Sequence, residues 1–418
     1  MVRMGGFSNR VRVKGGIEVA TRSAPALWGG VPAFPERLPF AKPSIPPPET
    51  LARRFTEILT SGVLTNGPYT RELERRVAEY VGVRHCVAVS SCTVGLMLCL
   101  RTAAVKAEVI VPSFTFSATA HAIAWNGATP AFADVDEATL TLSSDAAGDL
   151  LSGETSAILA THTFGTPCDV EGLSDLARRA GLRLVFDAAH ALGASRQGKP
   201  VGCFGDAEVF SLSPTKPVVA GEGGLITTDD NALAERCRMG RDYGHPGDYD
   251  CRFVGLNGRM SEFHAAIGLA SLDGLDDRIR MRNRVAAAYV AALDGVPGIA
   301  FPTVSASDTS SYRDFTILVE ASEYGMSRDG LAAALHKEGI DTRPYYSPAV
   351  HTMKAYESSG ARARGLLPVT DAAAARVLSL PMWTEMGEDL PARVAETIAA
   401  IHLYSTQSGD DAREIALP

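Results

Sequence analysis

No apolar run in this 418-residue sequence is long enough to span a bilayer as a helix. Its seven cysteines are scattered and include no CxxC pair, which argues against a zinc site or a disulfide framework. Reduced thiols in a cytoplasm are the simpler reading. Neither GxGxxG nor GxxxxGK[ST] occurs, so dinucleotide and P-loop sites are disfavoured. Positive charge is also short: 40 Lys+Arg against 48 Asp+Glu leave a net charge of −8. Such a body repels nucleic acid and anionic membrane, and no basic recognition helix offsets it. The basic N-terminus lacks the apolar stretch of a secretory signal. No internal repeat is visible.

What is present is ordinary globular composition, with 46% hydrophobic and 21% charged residues. The length suggests two or three domains. Residues 1–38, rich in Gly, Arg and Pro, read as a flexible tail. The PSIPPP stretch, Pro43 to Pro48, is extended because proline fixes φ. A helix then follows from about Glu49 to Gly62, and another over Thr70 to Tyr80. Strand signals at Cys86–Ser90, Glu108–Val111, Thr129–Ala133, Ala157–Thr161, Arg183–Asp187, Ala207–Ser211 and Gly224–Thr228 alternate in part with helical stretches. Several are continuous apolar runs, as in strands buried on both faces. The pattern predicts a large α/β domain over 39–290 with a mostly parallel sheet. One long helix is expected from Ser261 to about Leu293. A smaller α+β domain is expected over 291–418.

Three segments carry chemistry. In HCVAVSSCTVGLMLCL a strand runs through Ser91, Cys92 and Thr93 into a helix, whose first N–H groups can hold an anion. Alone, this is more often an ordinary strand–turn–helix. In RLVFDAAHALGA, Asp187 ends a buried strand, where open α/β sheets bind ligands. A carboxylate there needs a cation or several donors, unless it simply caps the next helix. Ala188 and Ala189 leave room for a flat ring, and His190 is placed to meet a ring oxygen. In VFSLSPTKPVVAGEGGLITT, Ser211 and Lys216 precede a Gly-rich turn. A lone lysine is ordinarily a solvated charge, but one in apolar surroundings loses its proton and forms a Schiff base. Together the segments ask for a phosphate, a carbonyl and a ring cation. Pyridoxal phosphate has all three.

The segments GVLTNGPYTRELERRVAEYVGVRHCVAVSSCT, VPSFTFSATAHAIAWNGATPAFADVD, THTFGTPCDV, FDAAHALGA, SLSPTKPVVAGEGG, VGLNGRMSEFHAAIGL and VLSLP span about Gly62 to about Leu380. In them the chain resembles the DegT/DnrJ/EryC1/StrS family of pyridoxal-phosphate-dependent sugar aminotransferases. The resemblance implies the aspartate-aminotransferase fold (type I) and pyridoxal 5'-phosphate as cofactor. It makes Lys216 the Schiff-base lysine and proton carrier, Asp187 the partner of the pyridine nitrogen, and His190 the partner of the phenolic oxygen. Phe116 and Ala189 would flank the ring. Cys92, Thr93 and Ser211 would cradle the phosphate. Asn257 would reach the phosphate in a neighbouring subunit, which implies a homodimer with shared active sites.

The same resemblance implies L-glutamate or L-glutamine as amino donor. It implies a nucleotide-linked ketosugar as acceptor, with dTDP-4-keto-6-deoxy-D-glucose the first choice. A 3-ketosugar or a keto-cyclitol is the alternative, and a regulatory protein on the same fold the non-enzymatic one. Tyr312, Tyr345, Tyr346 and His351 resemble the sugar-facing region and are equally ordinary half-buried aromatics. Arg241, Arg259 and Arg343 are candidates for a carboxylate or diphosphate. No metal is expected.

Overall fold

The computed structural model describes residues 10–12, 18–20, 24–357, 362–363 and 366–407. The expected helices form where local chemistry permits. The proline stretch leads into α1 (Pro48–Ser61), which ends on Gly62 at φ 70°. A left-handed residue there costs glycine nothing. α2 (Pro68–Val81) starts two residues earlier than its apolar spacing suggests. The buried carboxylate of Glu262 accepts hydrogen bonds from the N–H groups of Gly67, Tyr69 and Thr70 at 2.8–2.9 Å, which fixes that first turn.

The strands then follow: β1 (His85–Val89), β2 (Glu108–Pro112), β3 (Thr129–Ala133), β4 (Thr155–Thr161), β5 (Arg183–Asp187), β6 (Ala207–Ser211) and β7 (Gly224–Thr228). With the short edge strand Arg362–Ala363 they form one eight-stranded sheet, ordered edge–β3–β2–β4–β5–β6–β7–β1. Neighbours are parallel except around β7, which runs antiparallel to both β6 and β1. The side-chain period of two sends alternate residues to opposite layers. Val109 and Val111 join a core with helices α3 (Cys92–Thr102) and α4 (Ser117–Trp125). Ile110 between them joins the core under α5 (Val170–Ala180). Burying each such side chain contributes roughly 1.5–3 kcal/mol.

The helix expected from Ser261 to about Leu293 is two helices, α6 (Glu262–Leu272) and α7 (Leu275–Leu293), separated at Asp273–Gly274. Glycine is a poor interior helix residue, and Gly274 serves here as the N-cap of α7. The second half of α7 belongs to a second core. It packs with α8 (Asp389–Gln407) on a three-stranded antiparallel sheet of Ile299–Ala300, β8 (Phe315–Val319) and β9 (Val377–Leu380). Tyr289 stacks on Phe315 at 4.6 Å between centroids.

Part of the expected N-terminal tail is built into this core. Phe34 and Leu38 are buried in it, and the Glu338 carboxylate accepts the N–H groups of Ala26 and Ala33 at 2.5 and 2.7 Å. Farther upstream, Arg10–Arg12 pairs antiparallel with Glu18–Ala20. The rest of the expected tail lies outside the described residues.

Candidate active site

A cavity of about 330 Å³ opens at the C-terminal ends of β4, β5 and β6. Its walls include Cys92, Thr93, Phe116, Asp187, Ala189, His190, Ser211 and Lys216, the residues expected to hold the cofactor from within one chain. Tyr345 and Tyr346 close it from the far side.

Asp187 is the last residue of β5 and pairs in register with Thr161 of β4. Its carboxylate accepts hydrogen bonds from Thr119 Oγ1 at 2.7 Å and from the Ala189 N–H at 3.0 Å. Thr119 stands one helical turn beyond Phe116. Its hydroxyl continues a chain through Thr115 at 3.0 Å to Thr161 at 3.1 Å. Burial raises the Asp187 pKa, and the Thr119 hydroxyl, the Ala189 N–H and the Lys216 charge oppose the rise.

Lys216 sits in the loop between β6 and β7, its N–H bonded to Ser213 O at 3.1 Å. Burial, and next the Arg313 guanidinium, lower its pKa from 10.5 to about 7. A neutral amine is therefore present near neutral pH, the form that attacks a carbonyl. His190 follows β5 and is 9% exposed. Burial, with the charges of Lys216 and Arg313, holds its imidazole well below the ordinary pKa, so the ring is neutral. Its Nε2 lies 3.5 Å from the Tyr346 hydroxyl, and its Nδ1 has no hydrogen-bond partner among the described residues.

α3 points its N-terminus at the same cavity. Ser91 caps it by accepting the Val94 N–H at 3.2 Å, which leaves the first N–H groups, near Cys92 and Thr93, to hold an anion. A Cβ on Gly224 would come within 2.6 Å of the Ser91–Cys92 backbone, so only glycine lets β7 approach this turn. The half-buried Cys92 thiol has its pKa raised by desolvation and by the neighbouring Asp187, so it is a protonated side chain 3.9 Å from the carboxylate.

These residues fit pyridoxal phosphate on three observations. The buried carboxylate of Asp187 makes no ion pair among the described residues, and a pyridinium nitrogen would supply one. His190 carries an orphaned buried ring nitrogen. The helix N-terminus and Ser211 offer donors to a phosphate.

Other candidates are placed elsewhere. Tyr312 is packed against the second core, at φ 42°, and does not line the cavity. His351 is held by Ser113, 2.6 Å away, and by Asp371 at 3.4 Å, outside the cavity. Arg343 is exposed, and its guanidinium covers the Phe40 ring at 5.6 Å. Arg241 is buried in an ion pair with Glu74 and donates to Ala88 O at 2.6 Å. Arg259 pairs with Asp242 at 2.6 Å. None of these three arginines lines the cavity; Arg313 does. Asn257 is exposed and lies outside its own chain's cavity. Sequence reasoning passed over Arg313 beside Tyr312, and the threonines behind Asp187. The hydroxyl of SFTFSAT, one turn past Phe116, was the available signal for Thr119.

The DegT/DnrJ/EryC1/StrS aminotransferase family model matches residues 48–399. The chain belongs to this family. Its members are pyridoxal-phosphate-dependent sugar aminotransferases, so the enzyme class, the cofactor and the type I fold expected from the sequence hold. An Escherichia coli dTDP-4-amino-4,6-dideoxy-D-glucose transaminase is 31% identical over 363 residues, covering 86% of this chain and 98% of that protein. A UDP-N-acetyl-3-dehydro-alpha-D-glucosamine 3-aminotransferase of Acidithiobacillus ferrooxidans is 37% identical over 345 residues, 82% of this chain and 91% of that one. Among solved structures, DesI, analysed in the presence of its TDP-sugar product, superposes with a TM-score of 0.86. It is 39% identical and covers 92% of this chain and 97% of its own. Among the described residues no helix is long and apolar enough to cross a membrane.

Proposed function

We propose that the enzyme moves an amino group from L-glutamate or L-glutamine to a nucleotide-linked keto-deoxysugar, with dTDP-4-keto-6-deoxy-D-glucose the first acceptor to test. One observation carries the reading: a lysine amine, a buried carboxylate and a helix N-terminus meet in one cavity at the strand ends. The 39% identity to DesI, a structure with a TDP-sugar product, and the E. coli transaminase support the acceptor class.

When bound, the cofactor supplies an aldehyde for amine capture and an electron sink. The chain supplies the rest. Lys216 would hold the cofactor through its amine and, as a free amine, would take up the proton of the donor α-carbon. Asp187, fixed by Thr119 and the Ala189 N–H, keeps the ring nitrogen protonated. His190 would donate to the ring oxygen. Phe116 and Ala189 would flank the ring. Ser211, Cys92 and Thr93 would hold the phosphate. Tyr345 and Tyr346 face the sugar. Asn257 acts in a second subunit of a cytoplasmic homodimer; the exposed Tyr249 and Val254 near it favour a covered surface there.

The test is an acceptor panel under donor saturation: a dTDP-4-ketosugar, a UDP-3-ketosugar, a GDP-4-ketosugar and a keto-cyclitol. The proposal predicts the highest kcat/KM with the dTDP-4-ketosugar. Preference for the cyclitol would overturn the nucleotide-sugar assignment.

A further inference from the structure

Arg313 is a charged residue on the cavity wall that the reaction above does not use. It is 8% exposed and stands at the entrance to β8, in the second core's half of the molecule. Its Nη2 donates to Thr215 Oγ1 at 2.7 Å, and Thr215 is the residue directly before Lys216. Its guanidinium also lies 6.0 Å from the Phe40 ring centre and 5.7 Å from that of Tyr345. Asp314 forms its ion pair, while Arg313 Nε has no hydrogen-bond partner among the described residues. Phe40 itself is anchored, since its carbonyl accepts the Met382 N–H at 3.0 Å. A buried guanidinium is thus held by two rings and one carboxylate, with one hydrogen bond spent on the lysine loop.

We propose that Arg313 is a positioning residue for Lys216: it pins the lysine loop through Thr215 and keeps a positive charge facing the amine. This rests on the reading of Lys216 as the cofactor lysine. The groups facing that amine are few. From the sheet side they are Asp187, Cys92, His162 and His190, with His162 paired to the buried Glu208; from the Gly-rich turn, Glu222; from the opposite side, Arg313, Tyr345 and Tyr346, with Asp314 behind. His190 is neutral and Cys92 protonated, and of the remaining charges Arg313 acts most strongly against the ammonium, opposed first by Asp314 and then by Asp187. Burial disfavours the ammonium form, and a neighbouring cation disfavours it further. The two effects act in the same direction on Lys216. Removing the guanidinium leaves Asp314 unopposed, which favours the ammonium. Removing the Asp314 charge does the reverse.

The experiment measures capture of pyridoxal phosphate by the full-length chain across pH. Adducts are trapped with borohydride and located on Lys216 by peptide mass spectrometry, so no turnover is needed. Saturating cofactor is used throughout, and its own titration cancels between variants. Capture by Arg313→Gln is expected to have its midpoint raised by about one pH unit or more. Asp314→Asn is expected to lower it. Arg313→Lys, which keeps the charge and loses the fork, should stay near the unchanged chain. A purely structural role would lower Tm in all three and leave the midpoint in place. Equal midpoints, or shifts of Arg313→Gln and Asp314→Asn in the same direction, overturn the proposal. If Arg313→Gln does not fold, Asp314→Asn with Arg313→Lys still decides the sign. Absence of any Lys216 adduct in the unchanged chain overturns the cofactor-lysine reading, and this proposal with it.

Discussion

The two walls of the cavity are built differently. The sheet wall ends in Asp187, Thr161 and Ser211, on strands locked in a ladder on both sides. Its polar atoms bond locally, at 2.7–3.1 Å in the Asp187–Thr119–Thr115–Thr161 chain. The opposite wall is Arg313, Tyr345 and Tyr346, from segments flanking the second core. It is held by rings: Tyr346 lies 5.5 Å from Tyr345, 5.9 Å from Phe164 and 6.5 Å from His190. Groups that do chemistry need fixed geometry; a strand end supplies it for Asp187, and the Arg313–Thr215 hydrogen bond for the Lys216 loop. Groups that recognise a variable acceptor are better carried on stacked rings in loops, where small changes reshape the pocket without disturbing the sheet.

That division makes the two walls separable by experiment. Lys216→Ala removes nucleophile and proton carrier together, so transamination should fall by about 10⁴-fold or more, measured as kcat with saturating substrates. Asp187→Ala should cost about 10²–10³-fold, and equally in both half-reactions, as single-turnover absorbance would show. Tyr346→Phe belongs to the other wall. It should lower kcat/KM for the acceptor by roughly tenfold, the scale of one hydrogen bond, and leave the donor half-reaction unchanged. Equal damage to both half-reactions by Tyr346→Phe would break the distinction. Arg343→Ala, whose side chain lies outside the cavity over Phe40, should change kcat/KM by less than about twofold.

A smaller effect concerns stability of the cofactor-free chain. The Lys216 pKa is about 7 when folded, against an ordinary 10.5. Between those values the unfolded chain binds the proton and the folded chain does not, so this group makes stability rise with pH across that window. Lys216→Met lacks the term. Its Tm advantage over the unchanged chain should be largest below about pH 7 and shrink as the pH rises. A constant difference would contradict the depressed pKa.

The sheet wall was legible in the sequence because its signals are local. Thr129–Ala133, Arg183–Asp187, Ala207–Ser211 and Gly224–Thr228 are short apolar runs ending in turn residues, and the strands have those limits. The opposite wall was not. Which of Tyr312 and Arg313 faces the cavity depends on the left-handed backbone at Tyr312, and on Arg282, which bonds the Tyr312 carbonyl at 3.0 Å. Likewise, residues 24–38 show no periodicity of their own. Their place is set by Glu338, more than three hundred positions away in the chain. Arg241 reads as an anion binder until Glu74 is found beside it.

The most direct test of the central claim is the visible absorbance of the purified protein with pyridoxal phosphate, before and after L-glutamate is added without any acceptor. The account predicts a band from the cofactor joined to Lys216, which disappears with L-glutamate, or with L-glutamine in its place, as one equivalent of the donor's 2-oxo acid is released per site. A protein that forms no such band with excess pyridoxal phosphate would contradict it.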